Sequence, residues 1–477
     1  MSSSFALLSL IVVLPFLGML FVFTSRNDNG EGLGRNAFNV CVFTIISNII
    51  LIWRVFMLLN EKSRHLQLEE KFNWLTSPNI NIVFAVDTLS LLLILAVHLA
   101  VLIGLSGVYN NIYKQKSLMV FTLLFVSMST GLFVAADIFS FYIFFEAMLL
   151  PLFMIIGMFG EVKKQDIIYR FFLYNFIGAL LLFSATMLIY HEHGSVTLQQ
   201  LSTLKIPDNR KIYIISAICL SFISRIPIWP FHYWISSINS GIRNPLAFII
   251  TALMPLTAIY GFIRFLPPYF SASSGMYITI MNIVGIITMI FISLIGFINK
   301  DFQYKIFSYL TVYYVLYLLG VFINERAIEF SIGYSLFGFI LIFSSLEVLS
   351  SYIYHKELQS DGNSKGFLCR AKRLSFTYSF MVIAAIGLPF SAVFVNNFLI
   401  LSKLLGANIE LGMMLMFSLL IVGMTLLQEL FRLKNDEHQC YLGKSDDISL
   451  SGFIFMLIII FMLIMSFINP LWFVINE

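Results

Sequence analysis

The stretch SFYIFFEAMLLPLF, residues 140–153, holds a single charged side chain, Glu146, among aromatic and aliphatic residues. It lies within an apolar run at 138–159, and about 20 mostly apolar residues suffice for a helix to cross a membrane. Backbone polar groups in lipid need partners within the segment, so the run is predicted to be helical. A charge near its centre costs about 2.5–3.5 kcal/mol on insertion scales. Glu146 is therefore a candidate functional residue.

The whole chain shares this apolar character. Of its 477 residues, 59% are hydrophobic and 11% are charged, and the mean hydropathy is +0.90. Soluble domains carry about 25% charged residues, so a polytopic, all-α membrane protein is predicted. The net charge of +4 does not indicate a nucleic-acid partner. The four cysteines lack C-x-x-C spacing and predict neither a metal site nor a disulfide framework; they are Cys41, Cys219, Cys369 and Cys440.

Fourteen membrane spans are predicted, and together they form a single membrane domain. They lie at 5–24, 37–60, 83–108, 117–136, 138–159, 167–190, 212–230, 244–266, 275–298, 302–323, 329–354, 376–402, 411–430 and 452–474. The segments between them are short and contain no Walker motif. They leave no room for a nucleotide-binding domain, which argues against an ATP-driven transporter.

The loops predict the orientation of the chain. An even number of spans places both termini on one side of the membrane. Lysine and arginine are more frequent in the loops on the opposite side, and such an excess is typical of the inner face. Both termini are therefore predicted to lie outside, in the intermembrane space or periplasm.

Two spans are interrupted by proline. Span 7 reads SFISRIPIWPFHYW, with Pro227 and Pro230, and span 12 reads AAIGLPFSAVFVNNFLIL, with Gly387 and Pro389. Each proline removes a helical hydrogen bond, and broken membrane helices commonly line a cavity or an ion site. The breaks are five spans apart, which predicts two inverted five-helix repeats at about 117–266 and 275–430, after helices 1–3 at 5–108 and before helix 14 at 452–474. The alternative is a chance coincidence of two common proline breaks.

Four ionisable residues within the spans are candidates for a proton path. Glu146 lies in span 5, Arg225 just before the break in span 7, His232 beyond that break, and Glu347 in span 11. Glu146 and Arg225 are expected to pair, because opposite charges in a dry bundle shift each other's pKa. The alternative is a static ion pair, since arginine holds its proton. His232 titrates near neutral pH if it is not a hydrogen-bonded core histidine, and Glu347 is a weaker candidate.

Other polar residues have simpler explanations. His98 and Asp87 lie in span 3, where Asp87 is suited to cap the helix with its carboxylate. Arg54 and Lys305 are near span ends and are set aside as side chains that reach the interface. Three aromatic stretches, FFLYNF, IPIWPFHYW and TVYYVLY, are candidates for a quinone groove, but helix packing or an interfacial belt is far more common.

Several motifs resemble one family. FYIFFEAMLLPLFMIIGMFG (141–160) and YRFFLYNFIGALLLF (169–183) are similar to the fifth and sixth helices of the subunit 4 family of respiratory NADH:ubiquinone oxidoreductase, complex I. RIPIWPFHYW (225–234) resembles its broken seventh helix, and IGLPFSAVFVNNFLIL (386–401) its broken twelfth helix. VDTLSL (86–91) resembles its third-helix aspartate motif. The similarity covers the whole chain and is strongest at 141–183.

The resemblance implies a function and a setting. It implies a proton-translocating, antiporter-like subunit of the mitochondrial inner membrane, with no redox cofactor of its own. NADH, FMN, iron–sulfur clusters and ubiquinone would belong to other subunits. The expected partners are the neighbouring antiporter-like subunits 2 and 5, accessory subunits and lipids such as cardiolipin. Glu146, His232 and Asp87 match family positions, and Arg225 stands where the family has a lysine.

The chain departs from the family further along. Leu256 occupies the position of a lysine in span 8, Asn397 replaces a glutamate in span 12, and Tyr313 occupies what corresponds to a histidine position in span 10. This divergence resembles mitochondrial copies from protists such as ciliates. Leucine cannot exchange protons, so the path is expected either to be rerouted through water, Tyr, Ser and Glu347 or to be partly lost. The alternatives are a stand-alone cation/proton antiporter and a mainly structural subunit.

Overall fold

The structure, a computed structural model, describes most of the chain. The described residues are 6–24, 32–59, 65–75, 80–108, 115–159, 164–194, 196–203, 208–232, 234, 242, 244–265, 275–323, 325–359, 368, 371–389, 391–434 and 447–476.

Long apolar helices make up almost all of the described chain. They are α1 (Leu7–Thr24), α2 (Gly32–Leu58), α3 (Thr88–Val108), α4 (Gln115–Val134), α5 (Ile138–Ala147), α6 (Leu149–Phe159), α7 (Lys164–His193), α8 (Asp208–Ile223), α9 (Pro245–Ala252), α10 (Met254–Phe265), α11 (Gly275–Ile298), α12 (Phe302–Ile323), α13 (Arg326–Gln359), α14 (Lys372–Ala385), α15 (Ala392–Ala407), α16 (Ile409–Lys434) and α17 (Leu450–Asn476). A short 3₁₀ helix spans Gln200–Thr203.

The predicted all-α membrane fold is confirmed. Twelve segments of the described chain are helical, long and apolar enough to cross a membrane. The two remaining predicted spans, 7 and 12, are those in which proline breaks were predicted, and their helical pieces are shorter. The count of fourteen and the inverted repeats remain predictions.

A β-hairpin precedes α3 and was not predicted. β1 (Gln67–Leu75) and β2 (Ile80–Val86) pair antiparallel, so the expected start of span 3 at residue 83 is wrong. Valine and isoleucine in INIVFAV favour a strand. The helix begins at Thr88 because Asp87 caps it: the amide of Ser90 donates to Asp87 Oδ1 at 2.9 Å, and the Asp87 amide donates to Ser90 Oγ.

The hairpin is fastened to the bundle at both strands. Glu70 of β1 accepts from the amides of Leu8 and Ser9 in the first turn of α1, at 2.8 and 3.0 Å. In β2, the Val83 amide donates to Asp137 Oδ2 at 2.8 Å, and its carbonyl accepts from the amide of Ala136. Amides in the first turn of a helix have no partner within the helix, so Glu70 caps α1 from a distant part of the chain.

Contacts between distant helix ends agree with alternating membrane crossings. Arg264 at the end of α10 lies 2.5 Å from Asp87, which precedes α3. Lys403 of α15 lies 2.9 Å from Glu325, which precedes α13. The predicted topology places all four residues on the side of the termini. These ion pairs therefore join residues that the alternation brings to one face.

Burial separates central helices from peripheral ones. The most apolar windows of α12, of α13 and of the α9–α10 segment are each 94% buried, whereas those of α1, α2 and α17 are 33%, 33% and 28% buried. The helices of the second group carry exposed large apolar side chains, such as Phe21, Phe43 and Phe461. Their exposure suits contact with lipid. The almost complete burial of α12 places that helix in the interior of the bundle.

The break in predicted span 12 has a definite cause. In a continuous helix the carbonyl of Ala385 would accept from the residue four positions later, which is Pro389 and has no N–H. The hydroxyl of Tyr313 on α12 donates to that carbonyl instead, at 2.8 Å. Gly387 has φ +80°, a conformation that favours glycine.

A second break is held from the same helix. The α9–α10 segment is interrupted at Leu253, next to Pro255. Tyr314, the neighbour of Tyr313, donates its hydroxyl to the carbonyl of Ala252 at 2.8 Å. Adjacent tyrosines of α12 thus satisfy carbonyl groups beside two interrupted helices.

Replacing Glu70 by alanine is expected to destabilise the hairpin and α1. Loss of a cap costs about 0.5–2 kcal/mol, which we expect as a lower thermal transition of the purified membrane protein. The neighbouring Glu69 is exposed, so Glu69→Ala is the matched control and should leave the transition unchanged. Equal transitions for the two variants would contradict the capping role.

Replacing Tyr313 by phenylalanine is expected to loosen the break between Ile386 and Ser391. The Ala385 carbonyl then lacks a donor, at a cost of about 1–3 kcal/mol, and amide hydrogen exchange in this segment should accelerate about tenfold or more. Tyr309→Phe is the control, because no described residue is hydrogen-bonded to the Tyr309 hydroxyl. Unchanged exchange in Tyr313→Phe would show that the hydroxyl does not hold the break.

Candidate functional site

Glu146 lies at an interruption of predicted span 5. Helix α5 ends at Ala147 and α6 begins at Leu149, with a turn at Met148. Pro151 in the first turn of α6 has no N–H to offer to the carbonyl of Ala147. The Glu146 side chain is half-buried, and its Oε2 atom has no hydrogen-bond partner among the described residues. A carboxylate without a fixed partner is available to bind or release a proton.

Arg225 lies beside Glu146 but does not pair with it directly. It is fully buried, and its Nη2 donates to the carbonyl of Phe145 at 2.7 Å. Its guanidinium carbon lies 3.2 Å from the centre of the Phe145 ring. Nε and Nη1 have no hydrogen-bond partner among the described residues. In place of the expected ion pair, Glu146 and Arg225 interact electrostatically without a direct contact.

Arg225 lies at the start of the break in predicted span 7, and His232 lies at its end. Tight turns follow α8, with the Arg225 amide donating to Phe222 and the Ile226 amide donating to Ile223. The Trp229 amide donates to Thr288 Oγ1 on α11 at 3.0 Å. The break is thus held by a side chain of the neighbouring helix.

His232 lies beyond this break and is half-buried. Its ring centre is 6.1 Å from that of Phe291 on α11. Its Nδ1 atom has no hydrogen-bond partner among the described residues. His232 is therefore not held as a core histidine with both ring nitrogens bonded.

Glu347 is buried in α13, and its Oε2 atom also lacks a partner among the described residues. The Ser350 hydroxyl, one turn later, donates to the Glu347 carbonyl at 2.8 Å. Within the described part of the chain, no ion pair or hydrogen bond joins the Glu347 carboxylate to Glu146, Arg225 or His232. The structure brings Glu146 and Arg225 together and leaves Glu347 apart from them.

Two of the positions that depart from the family meet each other. The Asn397 side-chain amide donates to the Tyr313 hydroxyl at 3.3 Å, beside the break at Gly387. A Cβ at Gly387 would lie 2.7 Å from Asn397 Nδ2, so the glycine allows the close approach. Leu256, in contrast, is buried on α10 and offers no polar atom. A neutral hydrogen bond stands where the family would have two ionisable groups.

The span-3 candidates have structural roles in the described contacts. Asp87 caps α3 and pairs with Arg264. His98 has both ring nitrogens hydrogen-bonded, to the Ile94 carbonyl and to Asn48 Nδ2, each at 2.8 Å. These contacts fit the alternative readings, a helix cap and a core histidine.

Lys305 and Glu429 were missed by the sequence reasoning. Lys305 was set aside as an interfacial side chain, which is wrong: its ammonium is buried and lies 2.7 Å from Glu429 Oε2. Glu429 was not among the candidates. Lys305 lies in the first turn of predicted span 10, 302–323, and Glu429 lies at the end of predicted span 13, 411–430. Because opposite charges at two span ends on the same side can pair, this proximity was the available signal.

The aromatic stretches serve packing in the described contacts. Phe172 and Phe176 are exposed and stack on each other. Tyr313 and Tyr314 donate to backbone carbonyls, and Tyr317 donates to the carbonyl of Ser335 at 3.3 Å.

Cysteine and metal chemistry find no support in the described contacts. Cys41 and Cys219 are buried free thiols, whereas Cys369 and Cys440 lie outside the described residues. Among the residues that can be described, no group of three or more His, Cys, Asp or Glu is placed to hold a metal ion.

Comparison with known proteins agrees with the motifs. NADH-ubiquinone oxidoreductase chain 4 of Marchantia polymorpha is 27% identical over 419 residues, which cover 86% of this chain and 83% of the relative. NADH-quinone oxidoreductase subunit M of Rhodobacter capsulatus is 24% identical over 420 residues, with 84% and 81% covered. A chain of respiratory complex I from Thermus thermophilus has the same fold, with a TM-score of 0.85 at 19% identity over 97% of this chain and 96% of that one.

A family model described as "NADH:quinone oxidoreductase/Mrp antiporter, TM" matches residues 135–423, more than half of the chain. The resemblance noted from the sequence is thereby confirmed, and the chain belongs to the NADH:quinone oxidoreductase/Mrp antiporter transmembrane family.

Proposed function

We propose that this chain is a proton-translocating membrane-arm subunit of a respiratory NADH:ubiquinone oxidoreductase. Its family supports this, as do relatives named as subunits of that enzyme that match over most of their length. The observation that carries the proposal is the unpaired carboxylate of Glu146 beside the buried cation of Arg225. NADH oxidation and ubiquinone reduction, with FMN and iron–sulfur clusters, take place in other subunits of the assembly.

Glu146 and Arg225 act as the coupling pair in this proposal. The free Nε and Nη1 atoms of Arg225 allow its guanidinium to turn from the Phe145 carbonyl toward the Glu146 carboxylate. When Arg225 approaches, the carboxylate is favoured and a proton is released; when Arg225 withdraws, burial favours the protonated acid. Arg225 keeps its own proton throughout, so it tunes Glu146 and does not carry protons.

His232 is the proposed next group. Its free Nδ1 atom and partial burial leave it able to take up and release a proton. Glu347 serves further along, in the second set of helices. In this proposal water joins Glu347 to the other candidates, because no described side-chain contact does so.

The setting follows from the same proposal. The subunit lies in the mitochondrial inner membrane with both termini in the intermembrane space. It adjoins the antiporter-like subunits 2 and 5, accessory subunits and lipids such as cardiolipin. Its helices form two inverted sets of five at about 117–266 and 275–430, with the breaks in predicted spans 7 and 12 at corresponding places.

A mainly structural role is the second candidate, and a specific observation favours it. Leu256 and Asn397 cannot titrate. Leu256 lies in the interior of the bundle, and Asn397 lies beside the break at Gly387. A chain of ionisable groups from one set of helices to the other is therefore interrupted. A stand-alone cation/proton antiporter is the third candidate, and purification as a stable solitary protein would favour it.

Replacing Glu146 by glutamine is expected to lower the number of protons moved per NADH oxidised. Loss of a proton-transfer group slows transfer about 10²–10⁴-fold, while electron transfer occurs in other subunits. The measurement is proton uptake against NADH oxidation in liposomes that contain the purified complex. Glu410→Gln, on an exposed residue of α16, is the matched control and should keep the full ratio.

An assembled Glu146→Gln complex with an undiminished proton ratio would reject the transport role. That result would favour the structural candidate.

A further inference from the structure

Lys305 and Glu429 form a buried ion pair that the proposed path from Glu146 does not use. Lys305 belongs to the first turn of α12, and Glu429 lies in the last two turns of α16. Lys305 Nζ is 2.7 Å from Glu429 Oε2, and Arg432 Nη2 is 2.5 Å from Oε1. A carboxylate between two cations is the natural resting state of such a site. Ionisable groups within membrane helices are costly and usually functional.

A small cavity lies beside the Glu429 member of this pair. It has a volume of about 20 Å³ and is lined by Glu429, Arg432, Ser350 and Tyr354, among others. About 10–15 Å³ is enough for one water molecule. The Arg432 side chain is 39% exposed, whereas that of Glu429 is 1% exposed. The cavity therefore borders both a partly exposed cation and a buried carboxylate. The predicted topology places it on the side of the membrane opposite the termini.

Two buried hydroxyl groups lie near the pair. Tyr309 follows Lys305 by four residues, so both lie on one face of α12. Tyr378 on α14 interacts electrostatically with Glu429. Both side chains are fully buried, and neither hydroxyl has a hydrogen-bond partner among the described residues. Buried hydroxyls are normally bonded to protein or to ordered water, so these positions are suited to hold water.

The same face of α12 continues to the break at Gly387. Tyr313 lies four residues beyond Tyr309, their ring centres are 4.7 Å apart, and the Tyr313 hydroxyl is bonded to Asn397. Tyr317 follows after another turn and is hydrogen-bonded with Ser335. The ion pair is thus the outer end of a line of hydroxyl groups along the central helix.

We propose that Lys305 and Glu429 form a proton-loading site for the second set of helices, which deepens the proposed transport function and rests on it. A proton from water in the cavity binds the Glu429 carboxylate. Lys305 Nζ releases one proton to water beside Tyr309 and takes up the proton from Glu429. The carboxylate and the ammonium are then restored, and one proton has entered as one has left. Lysine can release its proton in such a site, whereas arginine cannot.

Lys305→Arg is the decisive variant, because it keeps the positive charge opposite Glu429 but removes a proton that can be released. In liposomes with the purified complex, we expect it to lose protons per NADH to the same extent as Glu146→Gln, with NADH oxidation unchanged. Glu429→Gln should give the same loss and decides the outcome if the arginine variant does not assemble. The control is Glu325→Gln, in the exposed pair with Lys403, which should keep the full ratio.

The outcomes separate this inference from the proposed function. Assembled Lys305→Arg or Glu429→Gln complexes with a full proton ratio, next to a reduced ratio for Glu146→Gln, would overturn the loading site alone. A full ratio in Glu146→Gln as well would reject the transport role itself.

Discussion

A proline within a membrane helix leaves a carbonyl group that hydrocarbon cannot satisfy, so another part of the protein must supply the donor. Pro389 has this effect on Ala385, and Tyr313 supplies the hydroxyl. Tyr314, the next residue, donates its hydroxyl to the carbonyl of Ala252 beside the interruption at Leu253. The interruptions after Ala385 and beside Ala252 therefore depend on two adjacent side chains of α12. That helix is among the most buried in the protein, which keeps both hydroxyls away from competing water.

The two buried cations are satisfied in different ways. Arg225 has one carbonyl and one aromatic face, and Glu146 lies near it without contact. Lys305 has a carboxylate at hydrogen-bond distance. An arginine spreads its charge over a planar group and keeps its proton, whereas a lysine can lose its proton when buried. The arrangement thus places a cation that keeps its proton near Glu146 and a cation that can release its proton next to Glu429.

The sequence predicted the helices well because membrane helices depend on a local property, a long apolar run. It also located the proline breaks in predicted spans 7 and 12, the half-buried Glu146 and the buried residues Arg225 and Glu347. It did not predict the interruptions at Met148 and Leu253. The hairpin at 67–86 was not predicted, because its contacts join segments far apart in the chain. Glu70 contacts α1, and Asp137 contacts β2. Lys305 was misjudged for the same reason: only its distant partner Glu429 distinguishes a buried lysine from one that reaches the interface. Whether Arg225 touches Glu146 depended on rotamers that no pattern specifies.

The positions where the chain departs from its family explain why an entry point near Glu429 matters. A hydroxyl group donates and accepts at once, so Tyr313 can take part in proton exchange without the cost of a buried charge, about 2.5–3.5 kcal/mol on insertion scales. Leu256 has no such capacity and is buried on α10. If protons move along α12, as proposed, they need a source that does not pass through Leu256. The pair at Lys305 offers such a source on the same helix face as Tyr309 and Tyr313.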